Sequence, residues 1–207
     1  ARALINVELE NYQAAETEVA ELLELNSQDP TANYVLGLLR FQEKRYREAI
    51  IALNLAAPVA TQYPLSLYYL SLAYMIEKDI ELAAKFAAQF VELSPYNGVG
   101  RKLYAATLLQ QNKVKEAQEV LRSVVDNNPG DAGALNLLAN ALLLDDQADV
   151  ALGVYARIAQ VNPDWKIVPL RLEAELVAAD PEGEVKQPAT AVADKDANFP
   201  QTEILQI

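Results

Sequence analysis

Residues 67–74 read Leu67-Tyr68-Tyr69-Leu70-Ser71-Leu72-Ala73-Tyr74, and nine positions further on stands Ala83. The apolar residues of this stretch recur at three- and four-residue spacing, the mark of a helix with one buried face. Ala83 is one of five alanines, Ala15, Ala49, Ala83, Ala117 and Ala151, each 34 residues from the next. A period held through five turns of a 207-residue chain is an architectural repeat.

Other columns keep the same period. Leu36, Leu70, Tyr104 and Leu138 stand thirteen residues before the last four alanines, each followed by a small residue: Gly37, Ser71, Ala105 and Ala139. Tyr12, Tyr46, Ile80, Val114 and Ala148 precede the alanines by three residues, and Val19, Leu53, Ala87, Leu121 and Tyr155 follow them by four. A small residue on one helix and an alanine on the next let two axes approach closely. The larger apolar residues then fill the layers between neighbouring pairs.

These columns resemble the tetratricopeptide repeat, whose pattern runs W-x2-L-G-x2-Y, then A-x3-F, then P. The resemblance spans about residues 1–163, although no repeat carries the tryptophan and the first-helix tyrosine stands only at Tyr74. It implies an all-α fold, a right-handed α-solenoid of antiparallel helix pairs. Proline punctuates the array in two phases. Pro95, Pro129 and Pro163 fall just after second helices, whereas Pro30 and Pro64 suit the first turn of the next helix. Two halves with different inter-repeat loops are therefore expected.

The array is expected over 1–179: a partial first repeat 1–29, full repeats at about 30–63, 64–97, 98–131 and 132–165, and a capping helix 166–179. Helix pairs should occupy 31–58, 64–93, 98–127 and 132–161, after the end of a first helix at 1–9 and its partner at 13–25. Asp180-Pro181-Glu182-Gly183 breaks the pattern, and 180–207 reads as a flexible acidic tail. The chain opens without methionine in what the register makes the middle of a first helix, so a preceding segment is expected.

Net charge is −12, concentrated at the ends: seven acids against one arginine in residues 1–29, six acids against two lysines in 180–207. An acidic chain without a basic stripe is a poor nucleic-acid binder. No apolar run reaches membrane-spanning length. Cysteine and histidine are absent, which removes thiolate chemistry, imidazole metal ligands and the commonest general base. The acidic pairs Asp145-Asp146 and Glu173/Glu175 read as solvated surface, and Asn97-Gly98-Val99-Gly100 as an inter-repeat turn rather than a phosphate loop. Neither enzyme chemistry nor a cofactor nor a metal is expected.

The resemblance implies that first helices line a concave face. Its candidate partner-binding residues are Tyr34, Phe41, Tyr68, Leu72, Lys102, Asn136 and Asn140. Leu38, Leu72 and Leu109 suit packing between repeats as well as lining a groove, whereas Tyr34, Tyr68, Asn136 and Asn140 are expected at the surface. Chaperone-binding members of the family clamp a peptide carboxylate with lysine, asparagine and arginine. Tyr34, Leu38, Tyr69, Val99 and Leu103 stand at those positions here, so the clamp is missing. Its absence favours a peptide or amphipathic helix with apolar anchors in the groove of a protein-binding scaffold. The alternative is a structural or self-associating subunit of a bacterial envelope assembly, because the repeats are similar to those of tetratricopeptide lipoproteins of exopolysaccharide export and protein sorting. That likeness implies a periplasmic or envelope location.

Overall fold

In a computed structural model, residues 2–162 are described. Ten α-helices follow one another in that span: α1 Arg2–Glu8, α2 Tyr12–Leu25, α3 Pro30–Gln42, α4 Tyr46–Leu55, α5 Leu65–Ile76, α6 Ile80–Leu93, α7 Gly98–Gln110, α8 Val114–Asn127, α9 Ala132–Leu144 and α10 Ala148–Val161. The expected capping helix 166–179 and tail 180–207 lie outside the described residues.

The helices pack in sequence as antiparallel pairs, an all-α solenoid of the tetratricopeptide kind. The alanine ladder is its spine. All five alanines are 0% exposed, because each sits where two helices pass too closely for a longer side chain. Gly37 shows the same constraint on the partner helix, since a Cβ there would lie 2.4 Å from Leu53 Cγ. Ser71, in the same column, is buried and donates its hydroxyl to the Ala83 carbonyl at 2.8 Å. A polar group in that column is tolerated because it finds a backbone acceptor.

Every hairpin between a first and a second helix is closed by the same turn. Glu10, Lys44, Lys78, Asn112 and Asp146, again 34 apart, all have φ between 56° and 66°. The next residue's N–H donates back five positions, as from Arg45 to the Arg40 carbonyl and from Asp79 to the Tyr74 carbonyl, both at 2.9 Å. This is the Schellman closure, which satisfies carbonyls that a helix end leaves open. Glycine occupies none of the five positions.

The links between repeats differ. Asp29, Asn97 and Asp131 occupy one column, and each accepts from the backbone N–H three residues on, at 2.7, 2.8 and 2.8 Å. Such caps start α3, α7 and α9 after links of four residues. The same column holds Tyr63 before α5, and there no side chain caps the helix. Expected to extend to 58, α4 instead ends at Leu55 and gives way to a 3₁₀ turn, Ala57–Val59. Pro58 lacks the N–H that would bond the Asn54 carbonyl, and its ring crowds that group. Among the described residues the irregular link is thus confined to one junction, rather than dividing two kinds of half.

Candidate functional site

First helices of successive repeats touch directly, α1 on α3, α3 on α5, α5 on α7 and α7 on α9, while second helices do not pack on one another to that extent. In a curved stack the layer with closer neighbours is the inner one. The first helices therefore form the concave layer, and all seven candidate residues lie on α3, α5, α7 and α9.

Their surroundings split the face. Tyr34 lies flat against Tyr63, ring centroids 4.9 Å apart at 16°. Phe41 meets Tyr69 edge-on at 5.0 Å and Tyr46 at 5.3 Å. Tyr68 packs on Tyr69 and on Phe90, both at 5.5 Å. Toward the other end, Lys102 Nζ lies 2.9 Å from Asp131 Oδ2, and Asn140 Oδ1 accepts from the Tyr155 hydroxyl at 2.9 Å. The half-buried Asn136 side chain makes no hydrogen bond to another described residue.

Two expectations of exposure are corrected. Tyr34 is 3% exposed and Tyr68 5%. The periodicity places their column on the inner face, but it does not show that Tyr63 and Phe90 lie against the rings. Leu72 is also buried. Asn140 is half-buried and held by Tyr155, and Lys102 is held by Asp131. Phe41 and Asn136 retain partial access.

Burial leaves the phenols a distinctive chemistry. Desolvation pushes the Tyr34 and Tyr68 hydroxyls well above the ordinary tyrosine range. Tyr34 is raised further by the phenols of Tyr69 and Tyr63 and by the Glu8 carboxylate. Neither hydroxyl has a hydrogen-bond partner among the described residues, yet no fully buried polar side-chain atom there lacks one. Neither hydroxyl is therefore completely shut off from solvent, although the two tyrosines are almost wholly buried.

Tyr63 and Glu8 are the residues that sequence reasoning missed. The signal for Tyr63 was present, an aromatic in a column otherwise filled by Asp29, Asn97 and Asp131. Among the described residues no cluster of acidic side chains is arranged to hold a metal, and no helix is long and apolar enough to cross a membrane.

Two family models match, each described as tetratricopeptide repeat, one over residues 1–66 and the other over 74–141 and 108–176. The chain is 30% identical to cellulose synthase operon protein C of Pseudomonas fluorescens over 93% of its own length, and 26% identical to protein FlbA of Caulobacter vibrioides over 80%. It spans only 16% and 28% of those relatives. Among solved structures, YrrB, described as a TPR protein with an unusual peptide-binding site, superposes with a TM-score of 0.73 at 20% identity, covering 84% of this chain and 88% of that one. MamA of Desulfovibrio magneticus RS-1 gives 0.69 at 13% identity, covering 79% and 93%. At these identities the likeness establishes the fold.

Proposed function

The chain belongs to the tetratricopeptide repeat family, and from that premise we propose that it is a non-catalytic scaffold holding a peptide or helix of a partner protein against its concave face. Proteins of this fold are generally interaction scaffolds, since stacked repeats build an extended surface rather than an enclosed reaction site. The supporting observation is the graded inner face. The half-buried rings of Phe41 on α3 and Tyr69 on α5 offer anchorage, and the half-buried Asn136 amide on α9 can bond a partner's backbone.

The test is retention of partners from the native source by the immobilised full chain, with the groove and the outer surface altered in turn. Phe41→Ser and Asn136→Ala should each reduce retention of the same partner several-fold. Ile51→Ser, on α4 where the side chain is 64% exposed, should leave it unchanged. Equal loss from all three variants would sink the groove reading.

A second reading rests on the 30% likeness to a cellulose synthase operon protein. It makes the array a structural or self-associating subunit of a bacterial polysaccharide-producing assembly in the cell envelope. Light scattering over a wide concentration range separates the two: a monomer at every concentration counts against self-association.

A further inference from the structure

We propose that Asn97 is a site of spontaneous covalent modification: water converts its side-chain amide to a carboxylate, ammonia is released, and the carboxylate takes over the cap of α7. The inference is independent of the groove reading above.

Asn97-Gly98 is the one Asn-Gly pair in the chain, the dipeptide most prone to this reaction. In the first step the Gly98 backbone nitrogen bonds to the Asn97 side-chain carbonyl carbon, and the amide nitrogen leaves as ammonia. Water then opens the resulting cyclic imide at either carbonyl. The products are aspartate and its isomer linked through the side chain. Glycine favours ring closure because it brings no side chain against the approaching carbonyl.

Three observations carry it. First, the atoms that react are uncommitted. Neither the Gly98 N–H nor the Asn97 side-chain amide nitrogen donates to another described residue, and Asn97 engages only its carbonyl oxygen, which accepts from the Gly100 N–H at 2.8 Å. Second, the fold delays the reaction without closing it. The Asn97 ψ of 105° turns the Gly98 nitrogen away from the side chain, so attack follows opening of the link and of the first turn of α7. One side-chain bond caps that turn, and two of its first three residues are the poor helix formers Gly98 and Gly100, so opening costs little. Third, the product has a place to go. Position 97 shares its column with Asp29 and Asp131, whose carboxylates cap α3 and α9 at 2.7 and 2.8 Å as the Asn97 amide caps α7. A carboxylate there also meets the positive end of the helix dipole. Aspartate therefore closes the opened turn at least as firmly as asparagine. The isomer, with its backbone routed through Cβ, loses the cap.

The experiment holds the full chain for weeks in mildly alkaline buffer at physiological temperature and follows it by tryptic peptide mass spectrometry. In the peptide 86–101, Asn97 is the only asparagine. The mass increment of amide-to-acid conversion at Asn97, ahead of the other asparagines, supports the proposal. So does a several-fold slower conversion in Gly98→Ala. That variant keeps the fold, because a Cβ at Gly98 would lie 4.0 Å from its nearest neighbour, Val124 Cγ1. Asn97→Asp, the authentic product, should melt at or above the temperature of the parent. An Asn97 that stays intact through the incubation, a Gly98→Ala chain that converts as fast as the parent, or an Asn97→Asp chain that melts below it overturns the proposal.

Discussion

Tyr34–Tyr63 and Lys102–Asp131 occupy the same two columns of the repeat, two periods apart. In one place the pair is a stack of rings at 4.9 Å; in the other it is an ion pair at 2.9 Å. The backbone around both is closed by the same left-handed turn, so the solenoid does not dictate which chemistry joins neighbouring repeats. Asp131 also caps α9, accepting from the Ala134 N–H at 2.8 Å, whereas Tyr63 does not cap α5. The aromatic end thus exchanges a helix cap for a stacked ring, and that exchange builds the inner face described above.

The largest effect that would break this contrast comes from removing one member of each pair. Tyr34→Ala should cost about 3–5 kcal/mol, as expected for a large aromatic lost from a packed site. Lys102→Met should cost about 1 kcal/mol or less, because a partly exposed ion pair contributes little and Asp131 keeps its capping bond. Urea titrations of the two variants give the ratio, and equal costs would mean that the columns are energetically alike.

Gly100→Ala comes next, at about 1–3 kcal/mol. A Cβ there would stand 2.1 Å from the Phe90 ring, and Phe90 packs against Tyr68 on its other neighbour, α5. The substitution strains the contact through which the aromatic and polar ends meet, and a lowered denaturant midpoint measures it.

Alkali should distinguish the ends more gently. Burial raises the Tyr34 and Tyr68 pKa values in the fold, so the folded state favours the neutral phenol. Stability from this source is fully present below the ordinary tyrosine value near 10 and is lost as pH rises beyond it, at about 1.4 kcal/mol per pH unit per tyrosine. Tyr155, in α10, is also raised by burial and sets the background. A Tyr34→Phe/Tyr68→Phe double variant should flatten the decline of stability above pH ~10, followed by tyrosinate absorbance and denaturation in parallel.

The smallest effect should be a gain. Lys78→Gly relieves a φ of 66° at a hairpin and should stabilise by about 1 kcal/mol, read as a rise in melting temperature.

The fold was legible because close packing restricts side-chain volume. Ala83 and its column mates had to be small, and so did Gly37 and Ser71, which leaves a visible period. The hairpin turn was not legible. Its column holds Glu10, Lys44, Lys78, Asn112 and Asp146, polar side chains that share neither charge nor length and include no glycine, because the geometry is imposed by backbone hydrogen bonds. The site was legible as a face and not as a depth. The 34-residue period put Tyr34 and Tyr68 on the inner helices, but only Tyr63 and Phe90, from other elements, decided that both rings would be covered. Pro58 carried a sufficient reason for α4 to end early.

The five identical hairpins also make the polypeptide a measure that can be cut in whole units. Joining Lys44 directly to Asp79 would excise one period and match two ends of the same backbone conformation. The deletion would remove the uncapped junction together with Pro58, Tyr63 and Tyr68. A chain built in this way can lengthen or shorten by duplication or loss of a module without inventing a new bend. Its recognition surface would then be edited as a string of interchangeable words, each read by its position rather than by its joints.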